Sequence, residues 1–285
     1  MKLKEIKKES PFFVVSLGLV WQALFFYLPL IFLIIISFVK YDTENATVFK
    51  LTFDNFKFFF KPIYFHIILK SLLIALLNAT LCFIFGYPLA YFLAFKAQKF
   101  KNFLLFLVIL PFWTNFLLHI YAWSYVLDRS GLINSILLSA GIIQEPLELF
   151  NSMFAIIIVM LYCYLPFMIL PIYSVLERVN KNILEASADL GASIWSTWYK
   201  VILPLSISGV ISGFSLVFVP TFAEFAIPSL VGGDKYVFVG TVITQYILSG
   251  DNFSLGTAFT LIASLSLILF ISIIYLIKKK NNKNE

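Results

Sequence analysis

Apolar residues run along this chain in long blocks rather than in alternation. Six blocks are long enough to cross a bilayer, roughly 12–39, 66–95, 103–127, 152–176, 205–231 and 256–277. A spanning helix needs about 20 largely apolar residues. Backbone groups in hydrocarbon must be satisfied within their own segment, so continuous apolar runs predict helices. The short alternating segments of a membrane β-barrel do not occur. The first block is far longer than the apolar stretch of a cleavable signal. Ser37-Phe38-Val39 is also not a small-residue cleavage site, so this span is expected to remain. The predicted architecture is all-α, a polytopic membrane protein. A tail over 1–11 precedes a six-span domain over 12–277, and a second tail covers 278–285.

The polar breaks between the blocks carry an orientation. Lys2, Lys4, Lys7, Lys8, Lys96, Lys99, Lys101, Arg178, Lys181, Lys200, Lys278, Lys279, Lys280 and Lys283 all fall on alternate loops or at the termini. These are 14 of the 21 basic residues. Basic loops stay inside, so both termini are expected in the cytoplasm, which requires an even number of spans. Between the third and fourth blocks, Gly131–Leu138 predicts a short amphipathic helix at the outer interface. Tyr121, Trp123 and Tyr125 fit an aromatic belt at a span end. Trp113 lies deeper, beside Pro111, as a packing residue or a pathway wall.

Composition agrees with lipid as the solvent: 61% of residues are hydrophobic and 13% charged, against about 25% charged in soluble domains. The net charge of +6 does not indicate nucleic acid, because the basic residues lie in short clusters between spans. Cys82 and Cys163 have no metal or redox spacing. His66 and His119 are isolated, and no chemistry is assigned to them. No metal or cofactor is expected on this chain. No phosphate-binding GxxxxGK[ST] loop is present, so the chain is not expected to hydrolyse ATP.

The cytoplasmic loop at about 178–204 is the most informative. Asn182 followed by Glu185 predicts an N-cap with a capping box. Glu185 and Asp189, four apart, share a helical face. Leu184, Ala188, Gly191, Trp195 and Trp198 form an apolar stripe, and Gly191 predicts a stop or bend. By itself this describes equally a solvated helix whose Glu185 only caps it and whose tryptophans rest on the membrane.

Glu185-Ala186-Ser187, Gly191 and Leu203-Pro204 resemble the EAA loop of ABC importer permeases. That pattern is Glu-Ala-Ala, three residues, Gly, nine residues, Ile, one residue, Leu-Pro. Ser187 and Val201 depart from it conservatively. Leu110–Thr114, Gly131–Asn134, Leu165–Pro171 and Phe222–Phe225 ending in Gly232-Gly233 are similar to the spermidine/putrescine branch of that family. The resemblance implies a type I importer permease fold. Glu185, Ala186, Ser187, Asp189 and Gly191 would couple the chain to an ABC ATPase dimer carrying ATP-Mg. The implied partners are a second, homologous permease and an extracytoplasmic polyamine-binding protein, all at the bacterial inner membrane. Sulfate or molybdate permeases share the loop. A secondary transporter is a rival of another class, but no clear repeat relates residues 1–140 to 141–285.

Glu224 is the one acid well inside an apolar block. Ionisable residues there are costly and functional by default. Pro220 and Pro228 flank it, and Pro228 removes the helical partner of the Glu224 carbonyl. Carboxylate and free carbonyl together are expected to accept an ammonium, with Trp113 and Tyr121 also on the path. The competing reading is an ion pair with Lys70. Gly209 and Gly213 form a GxxxG pair that predicts close helix packing.

Overall fold

A computed structural model describes residues 15–40, 50–97, 99–233, 235–248 and 252–281. The tail over 1–11, the first residues of the first predicted span and Lys283 lie outside the described residues. Among the described residues, five helices are long and apolar enough to cross a membrane, or six if one sharply bent pair counts as a single span.

The chain divides into two compact units, residues 1–65 with 242–285, and residues 66–241. In the first, α1 (Val15–Ser37) packs against α11 (Phe253–Asn281). Of the predicted 278–285 tail, residues 278–281 continue this helix. A two-stranded ribbon pairs Val39 with Leu51 and leads to α2 (Asp54–Phe58). The buried Asn55 amide donates to the Ser37 and Val39 carbonyls, both at 2.9 Å. That satisfies acceptors where α1 runs out. Phe59, Tyr64, Tyr246 and Phe259 make one aromatic cluster, with the Phe59 and Phe259 rings 4.8 Å apart.

The second unit is built on α3 (Pro62–Phe95), α7 (Met153–Leu176) and α9 (Ile194–Phe222). Met168 and Ile169 of α7 are fully buried at its centre. Small residues let the helices approach there. A Cβ on Gly209 would lie 2.8 Å from the Pro171 carbonyl oxygen, and one on Gly213 would lie 2.9 Å from Met168 Sδ. The GxxxG pair therefore packs α9 on α7, as the spacing predicts. Asn78 Nδ2 donates to Thr221 Oγ1 at 3.0 Å, and the Tyr87 and Ser206 hydroxyls lie 2.8 Å apart. These pairs run α3 antiparallel to α9.

Gly209→Leu is expected to destabilise the folded chain by about 1–3 kcal/mol or more, the cost of overpacking, because backbone opposes the new side chain. Gly18→Leu, with open space around it, serves as the control. Thermal unfolding in detergent should separate the two. Equal melting would contradict the α7–α9 packing.

The third predicted span is corrected by the structure. It is not one helix over 103–127. It divides into α4 (Lys101–Ile109) with a 3-10 turn over Leu110–Trp113, then α5 (Phe116–Leu127) and α6 (Leu132–Ser139). The two halves meet at 96°. Thr114 is extended, and Asn115 Oδ1 accepts from the Leu117 amide at 2.8 Å. A strong local N-cap after Pro111 overrides the apolar run. The fifth span is corrected too. Its helix starts at Ile194, inside the expected loop, passes through a π-turn at Trp198–Ile202, and ends at Phe222. It resumes as a second π-turn at Pro228–Gly232. Last comes α10 (Val239–Leu248).

Candidate functional site

The loop helix α8 spans Lys181–Asp189. Its cap is Asn180, whose side chain accepts from the Asn182 amide at 3.0 Å. The expected cap at Asn182 is thus displaced by two residues, because the earlier asparagine holds the extended backbone a cap requires. Glu185 then falls too far into the helix for a capping box, and its side chain stands exposed. Gly191 ends the helix at φ 74°. The Gly191 amide bonds the Ala188 carbonyl at 2.9 Å and the Ala192 amide bonds the Ser187 carbonyl at 3.1 Å. This is a Schellman closure, which puts a glycine in the left-handed region. The predicted stop is where the sequence placed it, but it divides the apolar stripe between two helices.

Glu185, Ala186, Asp189 and Gly191 are all exposed. The Ser187 and Thr197 hydroxyls lie 2.8 Å apart. Ser187, one of the departures from the family pattern, thereby ties α8 to the start of α9. On the same side of the unit, Lys101 and Glu177 form an ion pair. The Lys101 ammonium, and then the Tyr173 hydroxyl, hold the Glu177 carboxyl below the usual carboxylate range.

Glu224 lies in the break between α9 and the π-turn, buried. Its Oε1 accepts from the Ala226 amide at 2.8 Å and from the Ile227 amide at 3.4 Å. Its Oε2 accepts from the Tyr164 hydroxyl at 2.5 Å. The carboxylate therefore caps the resumed helix, a role absent from the sequence analysis. The competing partner is engaged elsewhere: Lys70 Nζ sits 5.2 Å from the Tyr236 ring and 5.0 Å from the Phe238 ring, within cation–π range. Among the described residues no ion pair joins it to Glu224. The Glu224 carbonyl lies against Gly240, so closely that a Cβ there would lie 2.7 Å from that oxygen.

Trp113 ends the 3-10 turn and Tyr121 sits on α5, both at least half exposed. Among the contacts described, neither touches Glu224. The residues the sequence analysis missed are Tyr164 and His119. His119 Nδ1 lies 3.1 Å from the Tyr162 hydroxyl, and Nε2 contacts Thr114 and the Pro111 carbonyl, the latter at 3.2 Å. It pins the break in the third span to α7. The signal was the Thr114-Asn115 cap, which leaves polar groups at depth that need partners.

Residues 86–283 match the family described as binding-protein-dependent transport system inner membrane component. The chain belongs to this family. It is 34% identical to the spermidine/putrescine transport system permease protein PotB of Haemophilus influenzae, over 99% of this chain and 98% of that one. It is 37% identical to the PotB of Escherichia coli K12, over 91% and 96%. It also resembles a solved chain of a bacterial ABC transporter that imports the acidic polysaccharide alginate. The TM-score is 0.73 at 17% identity, covering 98% of this chain and 99% of that one. As an inner-membrane component of this family, the chain has the fold of a type I importer permease and is a transport subunit.

Proposed function

We propose that this permease forms part of the translocation path of an ATP-driven importer for polyamines, spermidine and putrescine. The observation that carries the reading is similarity over nearly the whole chain to spermidine/putrescine permeases. A single buried carboxylate among the described residues, in a broken span, is consistent with a cationic cargo. Glu185, Ala186, Ser187, Asp189 and Gly191 present the surface that an ATPase dimer would grip, and ATP-Mg would be held by that dimer. A second permease would complete the path. An extracytoplasmic binding protein would deliver the cargo, as the complex of the alginate transporter with its periplasmic protein suggests.

Uptake of labelled putrescine and spermidine into cells expressing the full system tests this. Uptake should stop on ATP depletion and survive an uncoupler. Sulfate uptake without polyamine uptake would overturn the substrate, and sensitivity to the uncoupler alone would overturn the energy source. On the same reading both termini would face the cytoplasm. The Lys101–Glu177 pair supports a common side for the second and fourth loops. Reporter fusions after Lys99 and Lys181 should report inside, and those after Arg129 and Lys235 outside. An inside signal at Lys235 would contradict this arrangement.

A further inference from the structure

The apolar back of the coupling loop roofs a cavity of about 540 Å³, within the roughly 300–1,000 Å³ of small-ligand sites. Tyr87 and Tyr91 of α3 form one wall, and Leu184, Trp195 and Trp198 face them. The cavity is braced open. The Tyr87 hydroxyl is held 2.8 Å from Ser206, and its ring meets Trp198 edge-on at 5.5 Å. Water has few polar partners in such a place, and empty apolar cavities stay dry.

The position along α3 identifies the solvent that can fill it. Ile84, which lines the cavity, is 53% exposed on the helix surface. The cavity is therefore continuous with the apolar face that a spanning helix presents to hydrocarbon. Tyr91, at the other end, lies five residues before Lys96, about 7.5 Å at 1.5 Å per residue. Lys96 is exposed. An apolar slot thus runs from the hydrocarbon toward a lysine at the polar end of the span. Lysines at that level attract anionic head groups.

We infer that this cavity holds one acyl chain of an anionic phospholipid from the leaflet on the loop side, with the head group against Lys96. The inference rests on the membrane-spanning fold and not on the identity of the cargo. An acyl chain there would form part of the packing between α3 and the coupling loop.

Brominated lipids test it, because Trp195 and Trp198 are built-in reporters. The full chain with its partner subunits, carrying Trp21→Phe, Trp113→Phe and Trp123→Phe, is placed in nanodiscs. Acyl-brominated phosphatidylglycerol is compared with acyl-brominated phosphatidylcholine. The part of the emission that disappears when Trp195→Phe and Trp198→Phe are added should be largely lost in the brominated glycerol lipid and much less in the choline lipid. Ala192→Phe, which fills the cavity, should restore most of it, and Lys96→Glu should erase the difference between head groups. Quenching unchanged by Ala192→Phe would mean surface lipid contact only and overturn the site. Equal quenching by both lipids would overturn the anionic head group. Should Ala192→Phe fail to fold, native mass spectrometry of the unsubstituted complex decides. Retained phosphatidylglycerol that Lys96→Glu releases supports the site, and no retained lipid overturns it.

Discussion

Glu185→Ala is expected to leave the permease folded and in the membrane while polyamine uptake falls about tenfold or more. The structure removes the alternative that Glu185 stabilises its own helix, because Asn180 supplies the cap. Losing a cap would cost about 1 kcal/mol, and no such cost applies here. Alanine is also the best helix former, so α8 should persist. What is lost is an exposed charge on the surface assigned to the ATPase. Truncating an interface anchor typically costs about 2 kcal/mol or more, and each 1.4 kcal/mol is about tenfold in affinity. The measurements are uptake, copurification of the ATPase subunit and ATPase stimulation by the loaded binding protein. Gly191→Val should give the same phenotype by another route. Its φ of 74° is strained for a β-branched residue, so the Schellman closure opens and α8 loses its orientation. Normal uptake and stimulation in Glu185→Ala would remove Glu185 from the coupling surface.

Glu224→Gln is expected to cut uptake about tenfold or more, with expression and subunit assembly retained. The glutamine oxygen can still accept from the Ala226 amide, so the cap of the resumed helix survives. The substitution removes the charge that an ammonium would meet. Of the two carboxylate oxygens, Oε2 has the Tyr164 hydroxyl as its one described partner, and a carboxylate oxygen can accept more than one bond. That leaves a place for a cationic group. Glu224→Ala should behave differently. It removes the cap and strands the buried Tyr164 hydroxyl, a loss of about 1–3 kcal/mol, and it should reduce expression as well as transport. Lys70→Met should not rescue either variant, because the Lys70 ammonium rests on Tyr236 and Phe238. Rescue of Glu224→Gln by Lys70→Met, or full uptake in Glu224→Gln alone, would remove Glu224 from the path.

Apart from the broken third span, the sequence by itself determined which segments are long and apolar enough to cross a membrane. Lipid demands some 20 apolar residues with internally bonded backbone, and that demand is met locally and is visible in the chain. It also determined the α7–α9 packing face through Gly209 and Gly213, and the stop at Gly191, because small residues and left-handed backbone are local requirements. The EAA spacing was legible for the same reason, being confined to one loop. Tertiary structure decided the rest. The third span breaks at a local Asn115 cap, and what fixes the break in place is α7, with His119 bonded to Tyr162 across 43 positions. Hydropathy averages over such a break. Glu224 takes its hydroxyl partner from Tyr164, 60 positions away, while Lys70 turns to aromatic rings. A buried charge chooses among all the groups that packing brings near it, and their positions in the chain do not reveal that choice. The cavity beneath the coupling loop arises likewise from a spacing between α3 and α9 that Tyr87 and Ser206 fix across 119 positions.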